Sequence, residues 1–158
     1  MELQGSRDGS GRRFAIVASG FNKGFAEGLL RGARAAVSEC GVRDADVTVV
    51  RVPGAYEIPL AASHLATTAR FHGVICLGCL IKGDTMHFEY IAEAVSHGIM
   101  TVSADTGVPV TFGVLTTLTE EQAALRSADG PDNKGREAAL AAVEMASIVE
   151  AIGRLGQA

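Results

Sequence analysis

The stretch Gly78–Tyr90, GCLIKGDTMHFEY, concentrates residues able to do chemistry. Gly78 and Gly83 bracket a turn carrying a cation, an acid and a hydroxyl at Lys82, Asp84 and Thr85, and His87 follows at once. An apolar run that stops at a polar glycine loop and restarts as a helix gathers backbone N–H groups at one point, which suits an anion. The two glycines have the spacing of GxxxxGK[ST], and Thr85 falls at its hydroxyl position. Asp84, however, stands where that motif has the lysine that grips terminal phosphates, which counts against a nucleoside triphosphatase. A site for one small phosphate, held by loop N–H groups, Thr85 and Lys82, survives the substitution. The plain alternative is an ordinary helix start, with Asp84 or Thr85 as N-cap and His87 exposed in the first turn.

Other chemistry-bearing residues carry less. The histidines are His64, His72, His87 and His97, with no HExxH, so metal binding has little support. The three cysteines, Cys40, Cys76 and Cys79, are an odd number in a sequence whose start has no apolar signal region. Free thiols in a reducing cytoplasm are the expectation. Cys76 and Cys79 form a CxxC, but inside or at the end of a strand, where a core role fits better than redox chemistry.

These groups need elements to position them. Arg13–Ser19, Val47–Val52, Gly73–Cys79 and Val108–Leu115 are apolar runs that read as buried strands. Helical spacing runs from Phe25 to Cys40, where Gly41 can take a left-handed cap. Further helices are expected over Ile58–Ala69, with Pro59 in the first turn, and over Phe88–Gly98, Glu120–Ser127 and Glu137–Arg154. Strands alternating with helices imply a parallel sheet covered on both faces. The fold class is therefore α/β: a three-layer α/β/α sandwich, flavodoxin-like, with a four-stranded parallel sheet. Residues 14–158 are expected as one domain, and residues 1–13, polar and glycine-rich, as a flexible N-terminal arm. The chain of 158 residues is long enough for one real core. Its formal net charge of −4 with mixed signs argues against a nucleic-acid partner, and no apolar run approaches a membrane span.

Ligands of such sheets bind beyond the carboxyl ends of the strands. Gly20-Phe21-Asn22, Pro53–Glu57, the stretch after Gly78, Phe112 and Thr116-Thr117 fall there. Phe21 and Tyr56 could sandwich a flat ring, and Glu57 could accept hydrogen bonds from hydroxyls or ring N–H groups. Taken alone, Glu57 also reads as a first-turn acid facing a helix dipole, and Phe21 as a staple at a helix entrance.

VPGAYEIP (52–59), GCLIKGDTMHFEY (78–90), FGVLTT (112–117), EEQAALR (120–126) and NKGREAA (133–139) occur in this order. Together they resemble the lumazine synthase family of riboflavin biosynthesis, over nearly the whole chain from Phe14. The resemblance implies condensation of 5-amino-6-(D-ribitylamino)uracil with 3,4-dihydroxy-2-butanone 4-phosphate to 6,7-dimethyl-8-ribityllumazine, with no cofactor. It implies that Phe21 stacks on the pyrimidine, that Ala55, Tyr56 and Glu57 hold the ring and ribityl chain, and that Cys79, Leu80 and Ile81 line the pocket. It places the butanone phosphate at Asp84 and Thr85, and proton transfer at His87. It has Phe112, Arg126 and Lys134 complete the site from an adjacent subunit. Lys82 stands in place of a usual arginine, keeping charge but losing the bidentate grip, and Gly20 in place of a frequent arginine. The resemblance further implies pentamers, alone or built into a sixty-subunit shell, with riboflavin synthase as a partner; the short loop from Ser127 to Lys134 favours the shell.

A flavin carrier of flavodoxin type is the rival from another class, with Phe21 and Tyr56 bracketing an isoalloxazine. The sequence lacks a Ser/Thr-rich phosphate loop after the first strand, which counts against it. A phosphoacceptor receiver domain fails because Gly20-Phe21-Asn22 and Cys79 stand where it needs acids. A shell protein without catalysis sits poorly with the presence of Glu57, His87 and Arg126.

Overall fold

The computed structural model describes residues 1–156; the last two residues of the expected 14–158 domain lie outside them. Four strands alternate with helices: β1 (Phe14–Ser19), α1 (Lys23–Glu39), β2 (Val47–Val52), α2 (Ile58–Thr67), β3 (Gly73–Ile81), α3 (His87–Thr106), β4 (Val110–Thr117), α4 (Glu120–Ser127) and α5 (Lys134–Leu155). Short 3-10 turns precede β2 and α2. The sheet has the order β2-β1-β3-β4 and every pairing is parallel. β1 is central and fully buried, and β3, also central, is buried through Cys79, so their sequences are unbroken apolar runs. One core layer packs the sheet against α1, α4 and α5 through Phe14, Ile16, Leu29, Leu77, Ala123 and Val143. The other packs it against α2 and α3 through Val17, Ile58, Val74, Cys76, Val95 and Ile99. The expected α/β/α sandwich is therefore what the chain forms.

Cys76 and Cys79 are three residues apart on one strand, so they point to opposite faces and join different core layers. Burial pushes the Cys79 thiol up to about 11 and the Cys76 thiol higher still. Both are core residues at neutral pH, not a redox pair.

Several boundaries differ from the sequence reading. α3 does not stop at Gly98 but continues to Thr106, and Gly107 at φ +68 makes the left-handed stop. Gly98 serves packing instead: a Cβ there would come 2.9 Å from the Pro59 ring of α2. Neither Asp84 nor Thr85 is the N-cap of α3; Met86 holds that place without a side-chain bond. β4 begins at Val110, because Ser103 Oγ accepts the Val110 N–H and donates to Val108 O, fixing the preceding residues as a turn. α5 starts at Lys134, one turn early, because Asn133 caps it. The end of α1 follows expectation: Gly41 at φ +86 and Val42 donate back to Ser38 O and Val37 O.

The segment ahead of Phe14 forms no helix or strand and lies along α5. Ser6 N–H donates to Ser147 Oγ at 2.7 Å, and Arg12 meets both carboxylate oxygens of Glu150 at 3.0 and 2.7 Å. The Arg12 hydrogen bond holds the Glu150 carboxyl below its ordinary 4.5. Because the folded value is the lower one, this tie is complete above about pH 4.5 and fades as pH falls through the lowered value. Glu150→Gln is expected to leave the domain folded while trypsin cuts at Arg12-Arg13 several-fold faster, the arm opening locally. Unchanged cleavage would show that Arg12 does not hold the arm.

Candidate active site

The carboxyl ends of β1, β2 and β3 open into a cleft of about 570 Å³. Each element delivers its residues for a local reason. After β1, Asn22 takes a left-handed backbone (φ 51), which asparagine tolerates better than most residues. Its side-chain amide donates to Cys79 O at 2.9 Å, tying the end of β1 to β3. Phe21 is thereby presented on the rim, 67% exposed. After β2, Pro53-Gly54 breaks the strand and Ala55–Glu57 form a single 3-10 turn leading into α2. A Cβ on Gly54 would lie 3.1 Å from Glu57 Oε2, so that glycine lets the carboxylate fold close to the backbone. Tyr56, 62% exposed, is the second aromatic on the rim. β3 supplies Leu80 and Ile81 as an apolar wall. The loop that follows contributes Gly83 and Thr85, and the first turns of α3 contribute His87, Phe88 and Ile91. Thr85 Oγ1 lies 3.4 Å from the His87 N–H, which orients the start of the helix.

Phe21, Ala55, Tyr56, Glu57, Leu80, Ile81, Thr85 and His87 of the expected site thus share one cleft. Phe112, Arg126 and Lys134 do not join them in this chain. They line a second cleft, of about 410 Å³, between β4 and the α4–α5 region. There α4 is fixed by Thr119, whose Oγ1 accepts the Gln122 N–H, while Gln122 Oε1 accepts the Leu118 N–H, a close relative of the capping box. Arg126 follows in the last turn of α4, and Lys134 opens α5 with an ion pair to Glu137.

Three expected residues line neither cleft. Cys79 is buried and offers only its carbonyl, to Asn22. Asp84 is exposed at the loop tip. Lys82 turns to Glu89, with Nζ 2.8 Å from Oε1. Phe88 and Ile91 line the cleft without having been singled out, and Asn22 and Gly83, named only as parts of the turns after β1 and β3, line it too. Asn22 had a signal, an asparagine in the turn after a strand, and Ile91 had none beyond helical spacing. Among the described residues no group of three or more His, Cys, Asp or Glu could hold a metal ion, and no helix is long and apolar enough to cross a membrane.

The cleft is apolar with aromatics at its rim, an acid on one side, and loop N–H groups, a hydroxyl and an imidazole on the other. Such an arrangement can hold a flat polar heterocycle and an anion next to a proton-transfer group. Comparison with known proteins agrees. A family model described as 6,7-dimethyl-8-ribityllumazine synthase matches residues 11–150. The chain is 48% identical over 150 residues to the 6,7-dimethyl-8-ribityllumazine synthase of Desulfotalea psychrophila, covering 95% of this chain and 97% of that one. It is 49% identical to the enzyme of the same name from Syntrophus aciditrophicus, and 49% identical to 6,7-dimethyl-8-ribityllumazine synthase 1 of Caulobacter vibrioides, covering 90% of this chain and 92% of each relative. The flavodoxin-type carrier finds no support in these matches. A family model matched over most of the chain and relatives of one name at 48–49% identity, on the sandwich described above, show that the chain belongs to the 6,7-dimethyl-8-ribityllumazine synthase family.

Proposed function

We propose that the protein condenses 5-amino-6-(D-ribitylamino)uracil with 3,4-dihydroxy-2-butanone 4-phosphate, releasing phosphate and water and forming 6,7-dimethyl-8-ribityllumazine. The observation that carries the reading is the cleft itself, which brings Phe21, Tyr56 and Glu57 together with Gly83, Thr85 and His87. An amine of the pyrimidine attacks the ketone and a first water leaves, phosphate is eliminated, and the second amine attacks the carbonyl so formed, closing the ring with loss of a second water. All reacting atoms belong to the substrates, so the protein's main task is to hold two molecules at attack distance, which contributes several kcal/mol. Phe21 stacks on the pyrimidine, the Ala55–Glu57 turn and the β3 wall of Leu80 and Ile81 hold it, and Glu57 accepts ribityl hydroxyls. Thr85 and the N–H groups of the Gly83–Thr85 turn bind phosphate, with Asp84 contributing its backbone. Lys82 borders this turn through its backbone, its ammonium being paired with Glu89. His87 moves protons, being the side chain suited to do so near neutral pH.

In this reading a neighbouring copy supplies Phe112, Arg126 and Lys134. Support comes from their position: they line a separate, open cleft beside the edge strand β4, with Phe112 44% exposed. The cationic Arg126 there complements a phosphate that has no arginine in its own cleft. Head-to-tail contacts between unlike surfaces close into rings, and pentamers are the ring proposed. The other edge strand, β2, is an open edge that a neighbouring copy would cover. Association of such rings into a sixty-subunit shell, riboflavin synthase as a partner and a cytoplasmic location belong to the same proposal.

The reading is tested by forming the lumazine from the two substrates and by mixing variants. His87→Ala and Arg126→Ala, each inactive alone, are unfolded together and allowed to reassemble. Random mixing should restore about a quarter of the sites, because each contact draws its two halves independently. Mixed particles as inactive as the separate ones, with parent particles recovering, would overturn the shared site.

A further inference from the structure

The loop between β3 and α3 is crossed by one ion pair, Lys82–Glu89. Glu89 lies in the first turn of α3 and faces the groove between α3 and β4, beside Phe88, Phe112 and Thr116. Gly83, Thr85 and His87 face the other way, into the substrate cleft. The Lys82 ammonium therefore sits outside that cleft, although its backbone borders the phosphate loop. Its N–H is fixed too, donating to Thr117 O at 2.9 Å. Glu89 depends on this lysine: its second carboxylate oxygen is enclosed and has no hydrogen-bond partner. The hydrogen bond from Lys82 is also the main reason that the Glu89 carboxyl is held below its ordinary value.

We propose that Glu89 is a charge-setting residue for the phosphate end of the site. It neutralises Lys82 and keeps the ammonium off the bound phosphate, which is left to the loop N–H groups, Thr85 and a neighbour's Arg126. The proposal rests on reading the Gly83–Thr85 turn as the phosphate end. Its physical basis is that drawing Lys82 onto a phosphate would break the Lys82–Glu89 pair and leave a carboxylate with one oxygen enclosed and neither oxygen holding a side-chain partner. A group that leaves as product at every turnover also gains nothing from one more firm ligand in the ground state.

Charge balance orders four proteins unambiguously. In the parent the pair is neutral; Lys82→Met leaves a net negative charge beside the loop; Glu89→Gln leaves a net positive one; the double variant is neutral again. The probe is inorganic phosphate, its dissociation constant measured on the assembled protein at fixed ionic strength and its inhibition measured against each substrate. Lys82→Met should weaken phosphate binding about fivefold and Glu89→Gln should tighten it about threefold, the scale of one partly screened charge within a loop's width. The double variant should return to within about twofold of the parent, because the two side chains act as one unit. A double variant as weak as Lys82→Met would show that Lys82 grips the phosphate directly and would overturn the proposal, as would Lys82→Met binding like the parent. Phosphate that fails to compete with the butanone phosphate in the parent would instead overturn the reading of the loop, and the proposal with it.

Discussion

His87→Ala is expected to lower kcat roughly a hundredfold, the lower end of what a positioned acid–base group contributes, while both Michaelis constants stay within a few-fold. The residue opens α3 with its N–H directed at Thr85 Oγ1, so the imidazole is carried by a rigid helix end and not by the loop. It lines the cleft without touching the core, and alanine favours a helix, so the substitution leaves the fold intact. Proton transfers accompany loss of water, elimination of phosphate and ring closure, and His87 is the one imidazole among the residues lining this cleft. Binding rests on other groups: Phe21, Tyr56 and Glu57 at the pyrimidine end, loop N–H groups and Thr85 at the phosphate end. Steady-state kinetics on the variant, with free imidazole added to the buffer, separates the two roles. Partial recovery with imidazole identifies lost proton transfer. Parent-like turnover, or a loss confined to Michaelis constants, would remove His87 from the chemistry.

Most of the architecture was legible because this fold writes itself in apolar runs and glycine or proline stops. A strand enclosed on both faces has no alternation to misread, and all four strands lie where the runs are. The end of α3 was not legible, because a glycine reads as a stop whether it is there for φ or for space. Gly98 is there for space, against Pro59, and only the backbone of Gly107 distinguishes the two. Cleft residues were legible because strand ends converge: Phe21, Tyr56 and His87 are far apart in sequence but each follows a strand, and Leu80 stands near the end of one. Lys82 was legible only as a charge near a loop. The direction of a long side chain depends on its partner, here Glu89 seven residues on across a turn, and a sequence does not say on which side of the loop the two meet. Asn133 was visible inside a motif, yet its work was hidden, since it depends on two carbonyls at the end of α4 and a third from α1, far off in sequence.

That work makes Asn133→Ala the substitution expected to cost the most stability, about 3–5 kcal/mol, the range of losses tied to an exposed network of buried polar groups. Asn133 is 1% exposed. Its two Nδ2 hydrogens are shared among Gly28 O at 3.0 Å, Ser127 O at 3.1 Å and Ala128 O at 3.0 Å, while Oδ1 accepts the Arg136 N–H at 3.0 Å and so caps α5. The helices come this close because glycines line the contact. A Cβ on Gly28 would lie 2.3 Å from Ser127 O, one on Gly32 2.2 Å from Asn133 Oδ1, and one on Gly135 2.1 Å from Leu29 O. Nothing can relax into the space left by alanine without separating α1 from α5, so buried carbonyls and a helix end lose their partners together. Loss of the cap alone costs about 1 kcal/mol. Asn133→Asp distinguishes the parts: it keeps the acceptor for Arg136 but turns a second oxygen toward three carbonyl oxygens. If the donor dominates, as the geometry requires, the aspartate variant is at least as unstable as alanine in denaturant unfolding at fixed protein concentration, and binding through the Arg126–Lys134 cleft fails with it. An aspartate variant as stable as the parent would reduce Asn133 to a helix cap.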